Sequence, residues 1–260
     1  EAAKLNARQR HVRQLSEAEE RMRRRSQVWL IVAVAVLITA VPGQSQPQIA
    51  RFELPADVTF PEGIAYDAKA GVVYTGSAAT GNLVRLTLGS KQATTVAPAG
   101  SLMATEPFPA LLGMKIDGAG RVWIAGGRTG QMVVVDSKSG KVLKKFEVPT
   151  PGASLINDVV IVGPSAYFTD SLTPTLWRVT VKGDQIGDLE PWLQFTGTPL
   201  EYTKPGANLN GIAATADGRH LIVVQMNKGL LFRIGVDDKQ VAAIDIGGES
   251  VATGDGLVLD

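Results

Sequence analysis

Five copies of a short phrase bring oxygen-bearing side chains to one recurrent position: EGIAYD from Glu62, LGMKID from Leu112, NDVVIV from Asn157, NGIAAT from Asn210 and DGLVLD from Asp255. The first residue of the phrase is Glu, Leu, Asn, Asn and Asp, and the second is Gly in four of the five copies. Taken singly, Asn and Asp at strand ends are ordinary turn formers, and Glu62 is an ordinary surface acid. Taken as a column, Glu62, Asn157, Asn210 and Asp255 are four hard oxygen donors, the ligand set of a divalent cation with flexible coordination. Calcium is the first choice and other divalent ions are possible, because magnesium keeps more waters and a stricter geometry. His11 and His220 are the only histidines and there is no cysteine, which argues against imidazole- or thiolate-rich zinc, copper and iron sites. Leu112 breaks the column. It makes one side of the expected mouth apolar, so Leu112, with Asn157, is the expected contact for an organic substrate.

The elements that must carry these residues follow from the spacing. The phrases start 50, 45, 53 and 45 residues apart, the repeat length of a β-propeller blade. Between them run short β-branched or alternating segments, broken by turn signals such as Ala70-Gly71, Thr80-Gly81, Asp117-Gly118, Ser139-Gly140 and Asp217-Gly218. Each repeat contains four such segments, in the first GIAYD, VVYTGS, LVRLTL and ATTVAP, which is the pattern of a four-stranded blade. The expected fold is therefore all-β, a propeller with the phrase at the head of each innermost strand. Gly at the second position lets neighbouring backbones approach at the axis. Residues 47–260 supply four blades and the first strand of a fifth, with Ala50–Leu54 as an extra short strand completing an outer edge. A six-bladed ring then needs on the order of 80 residues beyond Asp260.

Other residues are read as structural. Asp67, Asp117, Asp217 and Asp260 sit at tight turns, and Asp170 at the end of a second strand suits a local turn as well as it suits the mouth. Asp158, where the other copies have Gly, is expected to orient Asn157 or cap a loop. Trp123, Phe168, Trp177 and Trp192 are expected to pack between blades, and His220 to lie at the core edge. Lys115 is assigned no role.

Composition narrows the class. Hydrophobic residues make up 45%, with 28 Gly and 14 Pro, as in a turn-rich globular β protein. Lys and Arg number 26 against 25 Asp and Glu, a formal +1. Eight basic and four acidic residues fall within residues 1–25, a net +4, so the remainder carries −3. A mildly acidic body without a basic patch argues against nucleic acid as a partner. Residues 1–21 read as a charged helical leader, with Met22 the natural start. Val28–Val41 is an uncharged, mainly apolar run behind Arg23-Arg24-Arg25. It is shorter than the roughly 20 residues a spanning helix needs and suits the core of an export signal. Residues 22–46 are thus a signal peptide cleaved between Ala40 and Gln46, or a short anchor, and the body is expected outside the cytoplasm. Any membrane contact is expected only through this segment.

The runs INDVVI and AYFTDS, then NGIAATADGRHLIVV, then DGLVLD, resemble the gluconolactonase/regucalcin family of six-bladed propellers, from about Phe60 to Asp260; paraoxonases and strictosidine synthases are more distant relatives. The resemblance implies a divalent cation, usually calcium, at the channel mouth. It matches Glu62 to the first-blade glutamate ligand, Asn157 and Asn210 to the asparagine ligands, and Asp255 to an aspartate that is both ligand and acid/base. The expected activity is metal-dependent hydrolysis of small lactones or simple esters, with Asp255 as the catalytic group. The competing expectation is a secreted propeller that binds a ligand without turnover and uses calcium structurally.

Overall fold

Apolar runs bounded by Gly and Asp turns become sixteen strands among the described residues, which in the computed structural model are 51–90 and 92–259. Blade one is β1 Pro61–Asp67, β2 Val72–Ser77, β3 Leu83–Thr87 and β4 Gln92–Ala97. Blade two is β5 Met114–Ile116, β6 Arg121–Ala125, β7 Gln131–Asp136 and β8 Val142–Glu147. Blade three is β9 Ile156–Val162, β10 Ser165–Asp170, β11 Thr175–Lys182 and β12 Gln185–Gln194, and blade four is β13 Leu209–Ala214, β14 His220–Gln225, β15 Leu230–Gly235 and β16 Val241–Ile244. Each blade is a separate antiparallel sheet whose strands lie in chain order. Together they are blades of an all-β propeller, as the repeat length requires.

The alternation of side chains explains how the blades hold one another. Val122 and Ile124 of β6 join Ala65, Tyr74 and Leu83 of blade one in one core. Their neighbours Trp123 and Ala125 face the other way and join Ile156, Phe168 and Trp177 of blade three. Because both faces of a middle strand are covered, RVWIA and QMVVVD lack the polar alternation of a half-exposed strand. A third core joins Val160, Tyr167 and Trp192 to Ile212, Leu221 and Phe232 of blade four. Trp123, Phe168, Trp177 and Trp192 thus pack between blades as expected. Each such buried side chain contributes about 1.5–3 kcal/mol.

At the hub every innermost strand begins with a bulge. Between Pro61 and Ile64 the pairing with β2 advances three residues against two, from Ser77 to Thr75. The same extra residue appears in blade three, where Ile156 and Val159 pair with Asp170 and Phe168, and in blade four, where Leu209 and Ile212 pair with Gln225 and Val223. In blade two, Leu112 N–H donates to Ala125 O while Ala125 N–H donates to Gly113 O, so Leu112 and Gly113 share one partner. The first two residues of the phrase are the bulge, a device that bends a strand and re-aims a side chain.

The second-position glycines are where neighbouring bulges touch. A Cβ on Gly63 would lie 2.0 Å from Leu112 O, one on Gly113 would lie 2.2 Å from Asp158 Oδ1, and one on Gly211 would lie 2.2 Å from Asp255 O. The head of each phrase therefore abuts the bulge of the copy before it, and no larger residue fits.

Two expectations at the edges change. Arg51–Leu54 forms no strand, and the segment from Asp255 lies against Gly211 of β13 without joining a ladder, because a strand exists only with a hydrogen-bonded partner and neither segment pairs with a described strand. The leader 1–21, the export or anchor segment 22–46, Ala50 and the turn residue Asp260 lie outside the described residues. Among those described, no helix is long and apolar enough to cross a membrane.

Gly113→Ala is expected to cost about 1–3 kcal/mol by overpacking against Asp158. Gly118→Ala, where nothing lies within 4 Å of the added carbon, is expected to stay within about 0.5 kcal/mol of the parent. Urea unfolding of the two variants checks this, and equal midpoints would contradict the close approach at the hub.

Candidate functional site

The bulges converge on one cavity of about 550 Å³, open to solvent, whose lining includes Glu62, Asn157, Asn210 and Asp255. All four residues of the expected ligand column are therefore brought together, from blades one, three and four and from the fifth phrase. Leu112 is not among them. It is 5% exposed and packs with Ala78, Leu155 and Leu172, so the apolar contact expected from Leu112 is used inside the protein and not offered to a substrate. The apolar wall of the cavity comes instead from the exposed residues Ile64 and Val258, with Leu257.

The two asparagines are held in a defined orientation. Ser171 Oγ donates its proton to Leu209 O, so the same oxygen must accept from Asn157 Nδ2, 3.0 Å away. Met226 Sδ can only accept, and it faces Asn210 Nδ2 at 3.4 Å. One N–H of each amide is thus directed inward, and both carbonyl oxygens, Asn157 Oδ1 and Asn210 Oδ1, are buried without a hydrogen-bond partner. Leaving a buried acceptor unpaired costs about 1–3 kcal/mol. Two residues of one cavity lining thus each carry an unpaired acceptor, which a positive or donating ligand would satisfy.

Asp158 has a larger part than its sequence position suggested. Its carboxylate accepts from Ile212 N–H of β13 at 3.1 Å and from Val159 N–H at 2.8 Å, and it occupies the space that Gly113 leaves free. Thr169 Oγ1 accepts from Asp158 N–H at 3.0 Å and donates to Asn210 O at 2.7 Å. Blades three and four are thereby tied at the hub, and Asp158 also lines the cavity. The one sign of this in the sequence is that it replaces a column glycine.

Charge in the mouth is unbalanced. Burial, then the like charges of Asp255 and Asp158, push the Glu62 carboxyl up to about 8, against a smaller lowering by Lys115. Glu62 is nevertheless exposed by surface area, so water in the mouth screens it, and the direction of the shift rests on the neighbouring carboxylates. Burial also raises Asp158, opposed first by Lys115 and then by its two backbone hydrogen bonds. Among the described residues no three His, Cys, Asp or Glu side chains converge as a metal-binding group. A cation here would depend on the two amide oxygens as much as on the carboxylates.

The remaining candidates are structural. Asp170 is fully buried and accepts from the backbone N–H groups of Leu155, Leu172 and Thr173. Asp67, Asp117 and Asp217 accept from backbone N–H groups of their own turns. His220 opens β14 and is not among the residues that line the cavity.

No protein family and no curated protein matches the chain by sequence. Solved structures match by fold. A structural genomics protein from Bacteroides thetaiotaomicron is 15% identical with a TM-score of 0.54, over 75% of this chain and 44% of that one. Virginiamycin B lyase from Staphylococcus aureus is 15% identical with a TM-score of 0.50, over 79% and 76%. A 6-phosphogluconolactonase-like protein from Bacteroides uniformis is 15% identical with a TM-score of 0.53, over 76% and 58%. The chain thus spans less than half the length of the first of these and more than half of the other two. The neighbours are propeller-type proteins, and likeness at this identity establishes the fold alone.

A carboxyl raised in the folded state stabilises that state below its unfolded value, and the contribution is lost as pH rises through the folded value. In EDTA, the urea midpoint is therefore expected to fall between about pH 4.5 and pH 8, and Glu62→Gln is expected to remove part of that fall. Parallel pH profiles for the two proteins would remove Glu62 from the charge cluster.

Proposed function

We propose that the channel mouth binds a divalent cation, calcium in preference, and that the chain hydrolyses small lactones or simple esters there. The observation that carries this reading is the pair of buried, partnerless amide oxygens of Asn157 and Asn210 at the wall of a cavity shared with Glu62 and Asp255. The donor set fits a hard cation: two neutral carbonyl oxygens and two carboxylates, with Asp158 adding negative charge behind them. A bound divalent ion would supply positive charge to a substrate carbonyl as its oxygen becomes an oxyanion.

The chain's own residues supply the rest. Asp255 is exposed at the mouth, free to meet water. It takes a proton from the water whose oxygen bonds to the carbonyl carbon, and returns it to the alkoxide oxygen as the acyl carbon–oxygen bond breaks. Asn157 and Asn210 are held by Ser171 and Met226, which leaves their carbonyl oxygens as unpaired acceptors. The resemblance of the phrase residues to the gluconolactonase/regucalcin family supports this chemistry, and a lactonase-like protein among the fold neighbours fits it loosely. An export signal within residues 22–46 would deliver the propeller outside the cytoplasm.

Turnover of a chromogenic ester or simple lactone is expected to vanish in EDTA and return with Ca²⁺. Asp255→Ala is expected to lower kcat about 10²–10⁴-fold, the usual worth of a positioned acid/base. Turnover that ignores both EDTA and Asp255→Ala would refute the cation-dependent mechanism and the role of Asp255. Thermal stabilisation by Ca²⁺ with no turnover across the panel would favour the ligand-binding propeller instead.

A further inference from the structure

Lys115 of β5 lines the same cavity and is the one basic side chain among its described lining residues. It is partly buried, yet its ammonium makes no hydrogen bond and no ion pair within 4.0 Å among the described residues. The other partly buried lysine among the described residues behaves differently. Lys144 Nζ donates to Ile186 O, Gly187 O and Asp188 Oδ1 and so joins blade two to blade three. Lysines that serve this fold are tied down, and Lys115 is not. It feels Glu62 and Asp158 through space without closing onto either.

We infer that Lys115 is a specificity residue that binds a carboxylate carried by the substrate, and that it does so once a divalent cation occupies the mouth. The inference rests on the metal-site reading above. Glu62, Asp158 and Asp255 outnumber one ammonium, so the cation-free mouth repels anions. A divalent ion brings the cluster to balance, and a substrate anion then meets Lys115 without opposing charge. A single ammonium with no second basic group suits a singly charged carboxylate better than a phosphate dianion. Lys115 lies three residues beyond the phrase head, roughly 10 Å of strand, so the recognised carboxylate sits deeper than the reacting carbonyl. Ile64, exposed in the same lining, offers apolar wall to the carbon chain between them. The implied substrate is an ester or lactone bearing a carboxylate on a short apolar chain.

The test compares the full chain with Lys115→Met, which keeps the length of the stem. Calcium affinity, measured by calorimetry, is expected to rise several-fold in the variant because a like charge is removed. With Ca²⁺ present, kcat/KM for an aryl hemisuccinate is expected to fall roughly tenfold or more, the worth of a charge-assisted hydrogen bond, chiefly through KM. The matched neutral aryl ester is expected to be unaffected. Succinate is expected to bind the parent protein in Ca²⁺ and not in EDTA, and more tightly than inorganic phosphate. An unchanged ratio of anionic to neutral turnover would overturn the role of Lys115 while leaving the metal reading intact. Absence of calcium binding by the parent protein would overturn both. If calcium binds without turnover, Ca²⁺-dependent succinate binding lost in Lys115→Met upholds the inference, and its absence in the parent refutes it.

Discussion

The two-residue bulge at the head of each innermost strand is the constraint on which the rest of the molecule depends. It lets Gly63, Gly113 and Gly211 sit against the next copy of the phrase at distances no side chain would allow, and that contact sets how closely the blades approach the axis. The same irregularity lifts one residue per blade out of the pleat. Packing and site geometry therefore share one cause. Blades three and four add a polar tie at this point, running through Asp158, Thr169 and Ser171 to the backbone of β13. A hydrogen-bonded hub is directional where an apolar one is not, and it is this direction that leaves the oxygens of Asn157 and Asn210 unpaired.

The cores between blades and the mouth of the channel obey opposite rules. Between blades, both faces of the middle strands are apolar and close-packed, and each side chain finds its neighbours in the adjoining sheet. At the mouth, three carboxylates face one ammonium, and two buried acceptors lack partners. Unsatisfied groups and like charges oppose folding, so the stability of the mouth comes from the blades around it. A cation bound there, as proposed above, would relieve repulsion and satisfy the acceptors in the same event.

The architecture was largely legible in the linear chain. Sixteen segments separated by Gly- and Asp-containing turns, recurring with the phrase, are local signals, and local signals decide strand order when every connection within a blade is a hairpin. The column of Glu62, Asn157, Asn210 and Asp255 was legible for a related reason, since equal positions in a repeat become equal positions around an axis. Leu112 shows the boundary of that argument. It holds the same column, yet the apolar residues Ala78, Leu155 and Leu172 beside it draw it into a cluster. Arg51–Leu54 and Asp255–Leu259 failed as strands because pairing depends on a neighbour that a single segment does not carry.

Residue order alone thus determined the repeat, the strands, the glycine contacts and the set of oxygen donors, all of which follow from periodicity and side-chain type. Only the tertiary structure decided which way each amide is turned, that Asp158 bridges two blades, and that Lys115 stands unpaired among carboxylates. Those properties come from neighbours on other blades, as with Ser171 and Leu209 fixing Asn157, or Asp158 reaching Ile212 54 residues away. Hydrogen bonds and charge interactions fall off over a few ångströms in space and take no account of separation along the chain.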